Sequence, residues 1–187
     1  MDAVKEAKLS AGTGQYLTFF VAGEEYAVNI LKVKEIVQYD TVTVVPNTAS
    51  WIRGVINLRG NVVPVIDLAV KLGLPESKIS KFSCVVITEV EYQGDRLTLG
   101  VMTDLVNQVL DFSEKDIEAP PAFGTRVRIE YLLGMGVMGK KFCLVLDIDK
   151  VLSADELVAV TDTSHAPGNV PIPARSRTKA KTAESGV

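Results

Sequence analysis

Few residues in this chain are suited to chemistry, and two arginines head them. Arg53 and Arg59 flank a short apolar run, Gly54 to Leu58. A guanidinium at the tip of a rigid hairpin can pair with a carboxylate through its planar fork while its stem covers apolar surface. Lys32, Lys34 and Glu35 decorate a segment that also carries Val33, and ordinary solvated charge is the plain alternative for all of them. Catalysis is harder to assemble. The single histidine, His165, falls in the expected tail, which excludes a histidine-centred triad, a His-rich metal site and a phosphoacceptor histidine from the folded body. Gly134-Met135-Gly136-Val137-Met138-Gly139 has neither Walker nor dinucleotide spacing, and the segment after it reads as strand. Asp147-Ile148-Asp149 alone cannot complete an oxygen cage for a cation. Cys84 and Cys143 lie inside apolar runs and read as small buried hydrophobes. No catalytic residue, metal or cofactor is assigned.

The two arginines need a scaffold, and Ile52 to Leu68 supplies one. It reads as two apolar strands, Gly54–Leu58 and Val62–Leu68, joined at Arg59-Gly60-Asn61, where Gly60 takes the positive φ of a tight turn and Asn61 tolerates it. Pro64 cannot donate to a ladder, so the second strand has one free side or a bulge there. Asp67 is placed to cap a following helix. Upstream, Tyr16–Ala22 and Glu25–Ile30 form a hairpin about Gly23-Glu24. Leu31–Val37 reads as a short helical turn, with a strand as the alternative, because Ile30, Val33, Ile36 and Val37 recur at helical spacing. Val42–Val45 is strand-like, and Asn47-Thr48 caps a short helix through Trp51.

A second half repeats the pattern. Phe82–Val90 and Arg96–Met102 pair about Gln93-Gly94-Asp95, Asp104–Leu110 has helical or mixed spacing, and Ser113-Glu114-Lys115-Asp116 is a capped turn. Residues 127–149 carry another strand pair, and Lys150–Val160 a C-terminal helix with Ser153 as its cap. Tyr26-Ala27-Val28, Val33, Ile36 and Val37 align at one offset with Leu99-Gly100-Val101, Val106, Val109 and Leu110, and Gly54 and Asp67 are separated as are Gly134 and Asp147. A duplicated strand-rich unit follows, and short strands with frequent turns favour small closed barrels that share a core.

With 187 residues the chain has ample length for one substantial domain or two small, intimately joined ones. No leader peptide or membrane span is expected, and cysteines in apolar runs fit a reducing, cytoplasmic setting. The net charge of −3 argues against a nucleic-acid-binding small barrel, which calls for a basic face with exposed aromatics, and points to protein partners. Residues 1–14 read as a flexible lead-in and 161–187 as a disordered polar tail.

Arg53-Gly54-Val55-Ile56-Asn57-Leu58-Arg59-Gly60, followed by Val63-Pro64-Val65-Ile66-Asp67-Leu68, resembles the central signature of the CheW family of bacterial chemotaxis coupling proteins. Glu25-Tyr26, Ile30 to Ile36, Tyr131-Leu132-Leu133-Gly134 and Val145-Leu146-Asp147-Ile148 extend the likeness over roughly residues 15 to 160. The resemblance implies a mainly β fold of two intertwined five-stranded SH3-like barrels, roughly 15–78 and 79–160, whose chain ends can swap, with a few short helices and a C-terminal helix. It implies a non-catalytic adaptor between methyl-accepting chemoreceptors and the regulatory domain of the histidine kinase CheA, with ring contacts to other CheW-like domains and recruitment to receptor arrays at the membrane. Position by position, it places receptor binding at Arg59, Val33, Glu35 and Arg53, and kinase binding on the second barrel at Gly100 and Val106. A same-fold adaptor in surface motility or developmental signalling is the alternative.

Overall fold

The computed structural model describes residues 13–40, 42–120 and 127–164. Among the described residues eleven strands run in chain order: β1 Gly14–Val21, β2 Glu24–Asn29, β3 Val33–Gln38, β4 Ile52–Leu58, β5 Asn61–Asp67, β6 Cys84–Tyr92, β7 Asp95–Thr103, β8 Leu105–Phe112, β9 Ile117–Glu118, β10 Leu132–Met138 and β11 Lys141–Leu146. Helix α1 (Leu68–Lys71) follows β5, and α2 (Ile148–Val151) and α3 (Ala154–Ser164) end the described chain. One sheet has the order β3-β6-β7-β5-β4, the other β8-β1-β2-β11-β10-β9.

The duplication is visible in this order. Exchanging β1 to β5 for β6, β7, β8, β10 and β11 converts the first sheet into the second, with β9 added at the edge. The register agrees: the parallel pair Val65↔Gly100 in one sheet answers to Val145↔Ala27 in the other. Neither sheet is a contiguous half of the chain. The boundary near residue 78 falls between β5 and β6, both members of the five-stranded sheet, while β1 and β2 join the strands of the C-terminal half.

Each sheet curls until a bridging segment closes it. Thr43 exchanges backbone bonds with Val55, 2.8 Å each way, and β9 pairs with β10 at Met135 and Gly136. Glycine is required beneath both crossings. A Cβ on Gly54 would lie 2.1 Å from the Thr43 carbonyl oxygen, and one on Gly134 would lie 2.5 Å from that of Glu118.

Strands buried on both faces explain the long apolar runs. Along β6, Val85 and Ile87 point into the barrel with Ile56, Val63, Val65 and Met102, whereas Val86 and Val90 join the core shared by both sheets. That shared core includes Phe19, Tyr26, Ile66, Leu99 and Leu146, and each such side chain contributes about 1.5–3 kcal/mol by leaving water. The other barrel encloses Tyr16, Ala27, Phe112, Cys143 and Val145.

Several local expectations change. The turn between β4 and β5 is Arg59-Gly60, both at positive φ (53° and 88°), and Asn61 begins the strand. Asn57 Oδ1 accepts the Gly60 N–H at 2.8 Å, which helps hold a conformation that arginine adopts reluctantly. Ala22-Gly23 and Gln93-Gly94 turn the same way, the first turn one residue earlier than the sequence reading and the third without Asp95, which begins its strand. Residues 33–38 are strand after a single 3-10 turn at Ile30–Lys32, and residues 105–112 are strand too. No helix runs through Trp51; turns replace it, with Asn47 at φ 60°. The parallel ladder with β7 starts at Val65, so Pro64 sits where β5 has one neighbour. Helix α3 continues past Val160 to Ser164, and the Ser153 and Glu156 side chains bond reciprocally to each other's backbone N–H. His165 and the rest of the expected tail lie outside the described residues, as do residues 1–12 of the expected lead-in.

Candidate functional site: a docking surface along β3

Arg59 stands at the tip of the β4–β5 hairpin with 80% of its side chain exposed, and its Nη2 lies 3.2 Å from Glu35 Oε2 on β3. The pair spans the gap between the end strands of the curled sheet. An exposed ion pair adds little stability, so its donors remain available to a partner carboxylate or carbonyl. Val33, on the same strand as Glu35, is half-buried and packs on the shared core opposite Thr88.

Arg53 is differently placed. Six residues from Arg59, or about 20 Å along an extended strand, it is only 19% exposed and turned toward the loop after α1. It forms an ion pair with Glu76, donates from Nη2 to the Ser77 carbonyl oxygen at 3.1 Å, and lies 3.9 Å from fully buried Asp67. Asp67 also accepts from Ser77 N–H (3.2 Å), Ser77 Oγ (3.1 Å) and Val70 N–H (3.3 Å), the last as the N-cap of α1. Arg53 therefore holds a loop against the barrel and does not join Arg59 in one exposed patch.

Gly100 and Val106 do not share a barrel. Gly100 is buried in β7, in the sheet that carries Val33 and Arg59, and a Cβ there would meet Val85 Cγ1 at 2.5 Å. Its place is set by the packing of the barrel interior, so it offers no side-chain surface to a kinase. Val106 is half-buried on β8 of the other sheet, opposite Phe19, with exposed Leu105 and Val109 on the same strand. By the duplication, Val106 is the counterpart of Val33.

The structure adds residues that the sequence reading passed over. Leu31, 89% exposed in the 3-10 turn, borders a cleft of about 250 Å³ with Val28, Leu133, Leu146 and Ile148. Lys32 Nζ sits 2.7 Å from Asp149 Oδ2 at its rim, joining the two halves. The available signal was a leucine in a turn where a polar residue is usual. Val33 follows directly, so cleft, Val33 and the Arg59–Glu35 pair lie in succession along β3.

Reactive chemistry is weak. Burial pushes the Cys143 thiol up to about 11, with Glu25 adding to it, and burial also raises Cys84, so both stay protonated. Among the described residues no group of three or more His, Cys, Asp or Glu side chains is placed to hold a metal ion. Among them, too, no helix is long and apolar enough to cross a membrane.

What the fold and this surface define is a β-barrel binding module. The model of the CheW-like domain matches residues 15–156. The chemotaxis protein CheW of Klebsiella aerogenes is 37% identical over 150 residues, covering 80% of this chain and 88% of its own. That of Treponema pallidum is 32% identical over 143 residues, covering 76% and 84%. The crystal structure of the scaffolding protein TtCheW from Thermoanaerobacter tengcongensis superposes with a TM-score of 0.69 at 28% identity, covering 81% of this chain and 96% of that one. The chain belongs to the CheW-like domain family, and it is a non-catalytic chemotaxis scaffold.

Proposed function

We propose that the protein couples the cytoplasmic tips of chemoreceptors to the regulatory domain of the histidine kinase CheA at receptor arrays on the inner face of the membrane. The observation that carries this reading is the exposed Arg59, held at a positive-φ turn and paired with Glu35 along a strand that begins at an apolar cleft. A receptor helix lays apolar side chains into the Leu31–Leu133 cleft and beside Val33, and Arg59 fixes its register through a carboxylate or carbonyl. Arg53, turned to the loop after α1, takes no part in this contact. The kinase binds the other barrel at Val106, with Leu105 and Val109 beside it, and Gly100 keeps the neighbouring barrel tightly packed. Signal passes only where receptor states differ in these contacts.

Co-sedimentation with receptor-bearing membranes, with and without the kinase, tests the proposal. Binding to the membranes alone and increased recovery of kinase with them are expected. Absence of both associations sinks the adaptor reading.

A further inference from the structure

The two corners where one barrel meets the other are related by the duplication, yet they differ in what fills them. Asp67 N–H donates to the Trp51 carbonyl at 2.8 Å, as Asp147 N–H does to that of Tyr131. In the open corner Leu31, Leu133 and Asp147 line the cleft. Their counterparts are Asp104, Arg53 and Asp67, and the Pro75–Lys78 segment bonds to the last two and faces the first. Glu76 and the Ser77 carbonyl take the Arg53 guanidinium, Ser77 donates to Asp67, and Asp104 faces the segment across a cavity. The chain path creates the difference. After α1 the loop 72–83 turns back over its corner, whereas only Leu152 and Ser153 separate α2 from α3.

We propose that Pro75–Lys78 is a built-in plug occupying a second docking corner, so that the chain presents one docking cleft where its duplicated fold provides two. This rests on the Leu31 cleft being a receptor's seat, as proposed above. The plug fits incompletely: about 220 Å³ remains between Ala22, the segment and Asp104, and Asp104 Oδ1 is buried without a hydrogen-bond partner. A polar segment suits a corner built on Arg53 and Asp67. Leu133 in place of Arg53 leaves the other corner apolar, suited to a leucine-like side chain of a partner.

The test is the full chain carrying Arg53→Leu and Ser77→Gly, which copies Leu133 and releases the plug. Calorimetry with a receptor tip fragment gives the number bound per chain, and the apolar dye ANS reports an opened corner without any receptor. The wild type is expected to bind one fragment. The variant gains a second fragment and added dye binding, with amide exchange at 76–78 faster by about tenfold or more. A folded variant whose plug amides exchange faster but which gains neither overturns the proposal. So does a wild type in which the fragment displaces Ser77 from Asp67. If the wild type binds no fragment while the variant still gains dye, the receptor reading fails and the plug stands. Should the double variant not fold, Ser77→Ala alone gives the same readings at smaller size, and unchanged exchange and dye binding there count against the plug.

Discussion

Arg53 lies on a strand and Arg59 in the turn that ends it, and the two carry the same side chain, yet one is fastened inward and the other stands outward. Arg53 has Glu76, the Ser77 carbonyl and buried Asp67 around it; Arg59 has a single carboxylate and open water. Residue type is the same, so the difference comes from what the chain brings to each end of the strand. A loop returns at the Arg53 end, and a turn of only Arg59-Gly60 leaves the other exposed among the described residues. A half-buried, multiply bonded arginine maintains shape, whereas an exposed one is available for recognition.

The largest expected effect breaks the comparison at its inner end. Arg53→Ala leaves Asp67 buried with its opposite charge removed, and should lower stability by about 3 kcal/mol in urea unfolding; a loss within experimental error would show that Arg53 is no more structural than Arg59. Gly100→Ala forces a methyl against Val85 and Val65, for an expected cost of about 1–3 kcal/mol. Kinase binding by the folded fraction should persist, in contrast to a true contact residue. Arg59→Ala should leave the unfolding midpoint almost unchanged and weaken binding to receptor membranes by about tenfold, while Val106→Ala lowers kinase recovery with receptor binding retained. The reverse pattern in the last pair would invert the assignment of the two surfaces.

The smallest effect concerns Glu156. Burial raises its carboxyl, but the Lys71 ammonium and Ser153 outweigh this and hold it below its ordinary 4.5. A depressed carboxylate stabilises the fold above the unfolded-state value, and that contribution is lost as pH falls through the folded one. Glu156→Gln should therefore cost less than about 1 kcal/mol near pH 7, with the gap to wild type closing as the solution is acidified below 4.5.

The hairpins were legible because alternation and Xaa-Gly turns are local. β3 was not: its burial alternates, but the more buried positions hold Val33, Glu35 and Val37 while Ile36 faces solvent, which leaves Ile30, Val33, Ile36 and Val37 at helix-like intervals. β8 lacks clean alternation because most of it is solvent-exposed along a sheet edge. The exposure of Arg59 was legible from its turn, whereas the role proposed for it rests on the family signature. The inward fastening of Arg53 was not legible, since Glu76 and Ser77 come from a loop with no pattern to announce that it folds back. Gly100 and Val106, close in sequence, were read as one surface, but the chain passes from one sheet to the other between them.

That crossing, together with the one after β2, bears on how the molecule is made. β1 pairs with β8, and β2 lies beside β11, so β1 and β2 cannot complete their sheet until β11 has left the ribosome. Such distant pairing makes folding slow, since long loops must close before contacts repay the lost entropy. It also ties both barrels into one cooperative unit, in which neither is expected to unfold while the other persists.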